Sequence, residues 1–387
     1  MAKRRRARGS GSVYQKGRIW WISYYGFDGL RHSETSESTR KGDAERLLQR
    51  RVGARENNLP VIPRAERLTF DDAAKAMIND FVANDKRSLS VVQRRITKHL
   101  LPSFRGRRMA GITAADVTAY VAKRQTDTIV TRKARVVLAD DGTELHQPQA
   151  TKPVSNGEIN RELQALKRIF SIAINGELIG RRPSIQMLRE AAPRSGFFER
   201  EQYESVLGHL PGQIRPVVTF AYITGWRTSE ILTLEWRQVD FQQGEVRLDA
   251  GTTKNGDGRV FPLTVELRAL LEAQHAEHQR LKREGRIVPQ VFFRLVAKGR
   301  GGELEPKPIR SFGKAWKVAC RAAGCPGRIP HDLRRTAVRN LVRAGIPERV
   351  AMMMTGHKTR SVFERYNIVS DGDLREAARK LDVQAAS

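Results

Sequence analysis

The sequence has few cysteines, no long apolar run and, for its size, few acidic residues. Only two of its 387 residues are cysteines, which excludes a disulfide framework and a structural zinc site built on four cysteines. No apolar stretch approaches the ~20 residues that a helix needs to span a bilayer. The basic N-terminus lacks the apolar core of a secretory signal. These absences predict a protein of the reducing cytoplasm.

Basic residues strongly outnumber acidic ones. The chain has 70 lysines and arginines against 42 aspartates and glutamates, a formal net charge of +28. Such an excess repels itself unless a polyanion balances it. A hydrophobic content of 40% predicts folded cores rather than a disordered basic tail. At about 150 residues per domain, the length predicts two or three domains, and nucleic acid is the first partner to consider.

Residues 1–58 are predicted to form a basic arm and a small DNA-binding module. The arm contains four consecutive basic residues, Lys3, Arg4, Arg5 and Arg6. Such an arm could reach phosphates or a minor groove, although a tail that is merely solvated would have a similar composition. Aromatic and β-branched runs broken by Lys-Gly and Asp-Gly pairs predict a three-stranded meander, followed by a helix capped by Thr39. One face of the middle strand should fill a core while the other lies on DNA.

A linker at residues 59–67, which contains Pro60 and Pro63, precedes a unit predicted to be all-helical, residues 68–190. Apolar periodicity and capping residues predict four helices, at residues 69–82, 89–100, 113–124 and 155–174. Residues 127–153 are predicted to be an inserted hairpin or loop, for which the sequence indicates no role.

Two helices of this unit carry dense basic faces. The second predicted helix has Arg94, Arg95 and Lys98, and the fourth has Arg161, Lys167 and Arg168. Solvated helices are also charged, but the net charge of the chain favours DNA contact by these faces.

Residues 191–387 form the last predicted domain and contain the reactive groups. An apolar helix breaks there at a Thr-Gly pair and restarts with Ser-Glu, which places Arg227 at a corner between two helices. Glu230 can hold Arg227 in one rotamer, although an ordinary surface ion pair has the same spacing. Short strands around an Asn-Gly pair predict a hairpin whose turn carries Lys254.

A basic, amphipathic helix is predicted from His331 to Arg343. Its apolar face includes His331 and Arg334, whereas Arg339 and Arg343 fall on the opposite, polar face. A guanidinium in an apolar arc near a helix N-terminus is unfavourable unless an anion meets it. Arg334 is therefore predicted to be a site residue.

The end of the chain adds two candidate site residues. A helix that begins at Pro347 ends at Thr-Gly-His, which places His357 at a helix end, and its three consecutive methionines are interpreted as core residues. Tyr366 follows, and by itself it would also be interpreted as a core residue. The tail from Leu374 to Leu381 has the periodicity of a helix, which could pack on its own domain or dock into a neighbouring subunit.

Together these fragments resemble the tyrosine recombinase family of phage integrases. The motifs are Thr-Gly-Trp-Arg-Thr-Ser-Glu at Arg227, Thr-Lys-Asn-Gly at Lys254, His-Asp-Leu-Arg-Arg at His331 and Arg334, Thr-Gly-His at His357 and Glu-Arg-Tyr at Tyr366. Their order and the 26 positions between His331 and His357 are more specific than any single motif. Three features depart from the family pattern: Trp226, Met353-Met354 where two leucines are common, and the insertion before Ser155.

The resemblance implies a multidomain, mainly α fold. Its parts are a small β-meander with a helix, an all-α core-binding domain and an α+β catalytic domain. It implies a site-specific recombinase that cuts and rejoins DNA through a 3′-phosphotyrosine, without metal, ATP or other cofactor. The implied catalytic residues are Arg227, Lys254, His331, Arg334, His357 and Tyr366, with Glu230 supporting Arg227 or His331.

The resemblance also implies the partners. They are double-stranded DNA at core and arm-type sites, further copies of the chain in a tetramer on DNA, and accessory DNA-bending or directionality proteins. No membrane is implied, and the expected location is the nucleoid of a bacterial host.

Two other functions stay open from the sequence. A type IB topoisomerase uses nearly the same reactive groups, but it acts as a monomer and needs neither the basic N-terminal module nor a defined site. A DNA-binding regulator could keep the fold and lose catalysis, although all six reactive positions are filled here. Nucleases that use metals need clustered carboxylates, and no such cluster accompanies a phosphate-binding set.

Overall fold

The structure is a computed structural model. It describes most of the chain, namely residues 11–26, 29–56, 68–138, 144–192, 194, 196–251, 256–299, 302–367, 369, 372–375, 378–379 and 382. The chain divides into two compact units, Met1–Ala192 and Pro193–Ser387. The finer division into three domains stays a prediction. Its linker, residues 59–67, and the basic arm from Lys3 to Arg6 lie outside the described residues.

The predicted N-terminal meander is confirmed. Strands β1 (Ser12–Lys16), β2 (Ile19–Tyr25) and β3 (Arg31–Thr35) pair antiparallel in that order, and helix α1 (Lys41–Glu56) follows. One face of the sheet packs on the helix because side chains alternate along each strand. The buried residues of this small core are Ile22, Tyr24, Ala44 and Leu47.

The four predicted helices of the next segment are also confirmed. They are α2 (Phe70–Ala83), α3 (Leu89–Arg95) with its continuation through a π-helical turn (Ile96–Leu100) into α4 (Leu101–Phe104), α5 (Ala114–Thr126) and α6 (Asn156–Asn175). Thr69 and Thr113 cap two of them, because each hydroxyl oxygen accepts from the backbone N–H of an aspartate three residues later. Their apolar faces share one core, which includes Phe70, Phe104, Leu163 and Phe170.

The insertion is a long antiparallel hairpin. Strand β4 (Thr128–Arg132) pairs with β7 (Ala150–Pro153), and β5 (Arg135–Leu138) pairs with β6 (Glu144–Gln147). Among the described residues, its apolar side chains are exposed rather than packed in the helical core, as at Ile129, Val130 and Val136.

The basic residues predicted to contact DNA differ in their surroundings. Three of them pair with carboxylates of the same unit: Arg95, Arg161 and Arg168. The other three are exposed or half-buried on the same helices: Arg94, Lys98 and Lys167. DNA contact by these faces stays a prediction.

The second unit contains the remaining elements. Strands β8 (Val239–Asp240), β9 (Glu245–Leu248) and β10 (Arg259–Pro262) form a sheet in the order β10-β9-β8, and β11 (Phe293–Ala297) pairs with β12 (Leu304–Pro308). The helices are α7 (Arg200–Gly208), α8 (Arg215–Thr224), α9 (Thr228–Leu232), α10 (Val265–Arg283), α11 (Gly313–Ala322), α12 (Asp332–Arg343), α13 (Glu348–Thr355) and α14 (Arg360–Glu364).

Helix α12 takes part in two of the apolar cores of this unit. Leu333 belongs to the main core with Trp226 and Trp316, whereas Val338 packs with Phe363 in a smaller core that α13 and α14 complete. The helix is thereby fixed between two packed layers. The chain as a whole is mainly helical with small antiparallel sheets, and within the described ranges no helix is long and apolar enough to cross a membrane.

Two expectations for this unit are wrong. Arg339 does not lie on an exposed polar face: it is 2% exposed, because Phe197 covers its guanidinium, with the ring centroid 3.8 Å away, and Glu199 and Asp373 pair with it. Met353 is not a core residue but is 69% exposed. For Arg339 the deciding contacts come from segments distant in the sequence.

Candidate active site

Arg227 lies at the predicted corner between two helices. Helix α8 ends at Gly225, whose positive φ of 62° favours glycine. A Cβ atom there would also lie only 2.8 Å from the Cβ of Ala337 on α12. The turn therefore brings α8 close to α12 and leaves Arg227 at the start of α9. Its Nη1 and its backbone N–H donate to the two oxygens of Glu230, at 2.8 and 2.9 Å.

Arg334 projects from the first turn of α12 into the same region. It is 2% exposed, and its Nη1 donates to the backbone carbonyls of Gly225 and Thr355, at 2.6 and 2.7 Å. Burial, with Arg227 and Arg259 close by, lowers the pKa of Arg334 to about 9. The guanidinium thus carries its charge at an electrostatic cost, which a bound anion would relieve.

His357 follows the end of α13, where Gly356 has a φ of 73°. Its Nδ1 lies 2.8 Å from the hydroxyl oxygen of Thr355, whose own proton is donated to the carbonyl of Ala351. Its Nε2 lies 3.0 Å from Nη2 of Arg334. Burial first, and then Arg334, lowers the pKa of His357 to about 3. We infer a neutral ring that donates to Thr355 from Nδ1 and accepts from Arg334 at Nε2.

Tyr366 and His331 are hydrogen-bonded. The tyrosine hydroxyl lies 2.8 Å from Nε2 of His331, and the ring of Tyr366 also packs against His357, with centroids 4.7 Å apart. Burial first, and then Arg334 and Arg335, lowers the pKa of His331. A neutral imidazole on a phenol hydroxyl is a base in position to take its proton.

The structure brings five of the six predicted catalytic residues together: Arg227, His331, Arg334, His357 and Tyr366. The predicted hairpin is present as β9 and β10, but Lys254 lies outside the described residues. Glu230 contacts Arg227 as expected.

Arg259, on β10, belongs to this cluster, and the sequence analysis missed it. Its side chain is 5% exposed, and its Nη2 lies 2.6 Å from Oε2 of Glu230. The sequence carries no clear signal for it, because Val260 and Phe261 are both apolar. Only the structure shows that Arg259 shares the inward strand face with Phe261, which is 1% exposed, whereas Val260 is 45% exposed. A basic residue on the inward face of a strand needs a buried anion as its partner.

A cationic cleft of about 780 Å³ opens beside these groups, and Arg227, Arg247, Arg259, His357 and Lys358 are among the residues that line it. Planar guanidiniums suit the nonbridging oxygens of a phosphate, which they can bind in pairs. The site therefore combines a tyrosine hydroxyl, a histidine of lowered pKa and groups suited to an anion. These are the parts that phosphoryl transfer to a tyrosine requires.

Comparison with known proteins supports the same kind of chemistry. Residues 197–372 match the sequence profile of the Phage integrase family. The integrase of Salmonella phage P22 is 23% identical over 381 residues, which cover 96% of this chain and 94% of that protein. Tyrosine recombinase XerA of Pyrococcus furiosus is 27% identical over 237 residues, 60% of this chain and 77% of that protein.

Two solved structures share the fold. A lambda integrase dimer bound to a COC' core site superposes with a TM-score of 0.55 at 14% identity, covering 95% of this chain and 97% of that chain. The Tn1549 transposon integrase in complex with circular intermediate DNA gives 0.54 at 16% identity, covering 79% and 98%.

The match to the phage integrase profile and a tyrosine hydroxyl held by a histidine together indicate a class of strand-transfer enzymes. The chain is similar to the tyrosine recombinases of the phage integrase family, whose profile matches residues 197–372, and is a tyrosine-type site-specific DNA recombinase.

Proposed function

We propose that this recombinase integrates or excises a mobile element by cutting and rejoining DNA through a 3′-phosphotyrosine at Tyr366. The single observation that supports this assignment most strongly is the 2.8 Å contact between the Tyr366 hydroxyl and His331. It links the only tyrosine of the matching motif to a base in a cationic site.

The first step is a transesterification. The Tyr366 oxygen attacks a backbone phosphorus, a phosphorus–oxygen bond to the tyrosine forms, and the bond to the 5′-oxygen breaks. His331 takes the phenol proton, and Lys254 supplies a proton to the leaving 5′-oxygen. The neutral state of His331 that burial favours supports the first assignment. The assignment of Lys254 rests on the motif alone.

The two arginines stabilise the charge that develops at phosphorus. We assign Arg227 and Arg334 to the nonbridging oxygens, where both bind the pentacoordinate state more tightly than the ground state. His357 holds Arg334 through its Nε2. A hydrogen bond from His357 to the phosphate, which the resemblance implies, needs the other tautomer or a turned ring.

The covalent link conserves the energy of the broken bond. The 5′-hydroxyl of a partner strand can therefore attack the phosphotyrosine, release Tyr366 and join the strands without ATP. Two rounds exchange two duplexes, which requires four active sites, so we propose a homotetramer on DNA. The lambda integrase tetramer bound to a Holliday junction has the same fold, at a TM-score of 0.53.

The remaining assignments concern DNA and location. We assign the core site to the helical segment through the faces with Arg94 and Lys98, and an arm-type site to the meander and the basic arm. The exposed strand face with Tyr25 supports the second assignment. Accessory DNA-bending or directionality proteins and action at a bacterial nucleoid belong to the same proposal.

The test is a recombination assay on a site that the protein itself defines. The purified chain selects bound duplexes from a random pool, and the selected sequence is placed in two labelled duplexes of different length. We expect recombinant joints of predicted length, and none when one duplex lacks the site. Relaxation of a plasmid without any site, and no joints, would assign a type IB topoisomerase activity instead. Binding without either product would assign a regulator.

A further inference from the structure

Arg259 makes two short hydrogen bonds behind the candidate catalytic residues. Its Nη2 lies 2.6 Å from Oε2 of Glu230, and its Nη1 donates to the backbone carbonyl of Thr355, also at 2.6 Å. Both acceptors are buried, at 7% and 0% exposure. A planar guanidinium with two occupied nitrogens is fixed in position and orientation.

Each of these acceptors is shared with one candidate catalytic arginine. The carboxylate of Glu230 also accepts from Nη1 of Arg227, at 2.8 Å. The carbonyl of Thr355 also accepts from Nη1 of Arg334, at 2.7 Å. Arg259 is thus linked to Arg227 through the Glu230 carboxylate and to Arg334 through the Thr355 carbonyl.

The surroundings of Arg259 keep its guanidinium in this place. It lies over the indole ring of Trp226, 5.3 Å from the centroid, and the indole N–H donates to the carbonyl of Met354. On another side it contacts Gly356, where a Cβ atom would lie 2.0 Å from Nη1. Trp226, which departs from the family pattern, therefore forms a platform for Arg259.

We propose that Arg259 is a positioning residue that sets the relative placement of Arg227 and Arg334 for the two nonbridging oxygens of the scissile phosphate. The proposal rests on the proposed function, because it takes a phosphodiester as the bound group. Both Nη nitrogens of Arg259 are engaged by protein acceptors, so its removal acts mainly through the geometry of the other two arginines.

The test compares two scissile linkages in a duplex that carries the selected site. One linkage is an ordinary phosphodiester, and the other is a methylphosphonate, in which a methyl group replaces one nonbridging oxygen and removes the charge. We expect Arg259→Gln to retain binding of the duplex and, at saturating protein, to slow single-turnover cleavage of the phosphodiester by about 100-fold. On the methylphosphonate the loss should shrink to a few-fold, because no pair of charged oxygens has to be matched.

Arg259→Lys is the second variant. It keeps the positive charge but offers one nitrogen where the guanidinium offers two Nη donors. We expect the same pattern, a large loss of rate on the phosphodiester and a small one on the methylphosphonate. It also provides the comparison if Arg259→Gln does not fold, which circular dichroism reports. Arg339→Gln is the matched control, since Arg339 is buried, ion-paired and stacked on an aromatic ring in the same unit. Any loss in this control should be equal on both linkages.

Two outcomes overturn the inference. A normal rate for both Arg259 variants on the phosphodiester removes the positioning role. An equal loss on both linkages, as in the control, shows that Arg259 acts only through stability. If the wild-type protein forms no covalent adduct on either linkage, the proposed function fails first, so the two failures are distinguishable.

Discussion

The hydroxyl of Tyr366 lies 2.8 Å from Nε2 of His331. Tyr366 follows α14, whereas His331 begins α12, so the contact joins segments that lie 35 positions apart. Burial and the neighbouring arginines lower the pKa of His331, which keeps its ring neutral and able to accept a proton. The proposed nucleophile and its proposed base are therefore hydrogen-bonded to each other in this structure.

Substitution of His331 by Gln should slow the chemical step. Glutamine can hydrogen-bond to the hydroxyl but cannot take its proton, and we expect single-turnover cleavage to fall by about 100-fold or more at neutral pH. The deficit should narrow as the pH rises, because alkaline solution ionises a phenol without a base. Rapid-quench rates across pH measure both effects. A constant ratio of the two rates at every pH would contradict the role of His331 as the base.

Arg334→Lys should lose most activity although it keeps the positive charge. The guanidinium of Arg334 binds two backbone carbonyls with Nη1 and reaches His357 with Nη2. A single ammonium cannot keep these contacts and also bridge phosphate oxygens. We expect about 100-fold slower strand transfer with DNA binding retained. Strand transfer at nearly the wild-type rate would remove this residue from the mechanism.

His357 should make the stability of the protein depend on pH in a defined direction. Its folded-state pKa is lowered from 6.5 to about 3, so below pH 6.5 the unfolded chain takes up a proton that the folded chain does not. The free energy of unfolding should therefore fall with decreasing pH, by about 1.4 kcal/mol per pH unit for this one group.

Urea unfolding between pH 6.5 and the range where carboxylates titrate measures this slope. The variant His357→Gln should have a smaller slope than the wild type, and the same substitution at the exposed His209 is the matched control. An unchanged slope in His357→Gln would show that the ring is not held neutral.

Much of the site could be predicted because its residues lie beside helix ends or on helix faces that the nearby sequence identifies. Gly225 and Gly356 end helices, and the residues that follow them, Arg227 and His357, are placed by those ends. Arg334 was identifiable because helical periodicity put a cation on an apolar face. These inferences need only nearby sequence.

The rest depends on contacts between distant segments. Arg339 is buried by Phe197 and by Asp373, which lie far away on either side in the sequence. Arg259 finds its carboxylate on α9. The contact of Asp373 with α12 also bears on the tail after Tyr366: at this residue the tail binds its own catalytic unit. No local pattern specifies such pairs, because the partner of a long side chain is determined only once the whole chain has folded.

The most direct measurement is covalent trapping by the wild-type protein and Tyr366→Phe. Each is incubated with a duplex that carries the selected site and a nick beside the cut, so that a short fragment diffuses away and the adduct accumulates. We expect a denaturation-resistant protein–DNA adduct in the wild type alone, with equal DNA binding by both. An adduct formed by Tyr366→Phe, or none formed by a wild-type protein that binds the site, would contradict nucleophilic attack by Tyr366.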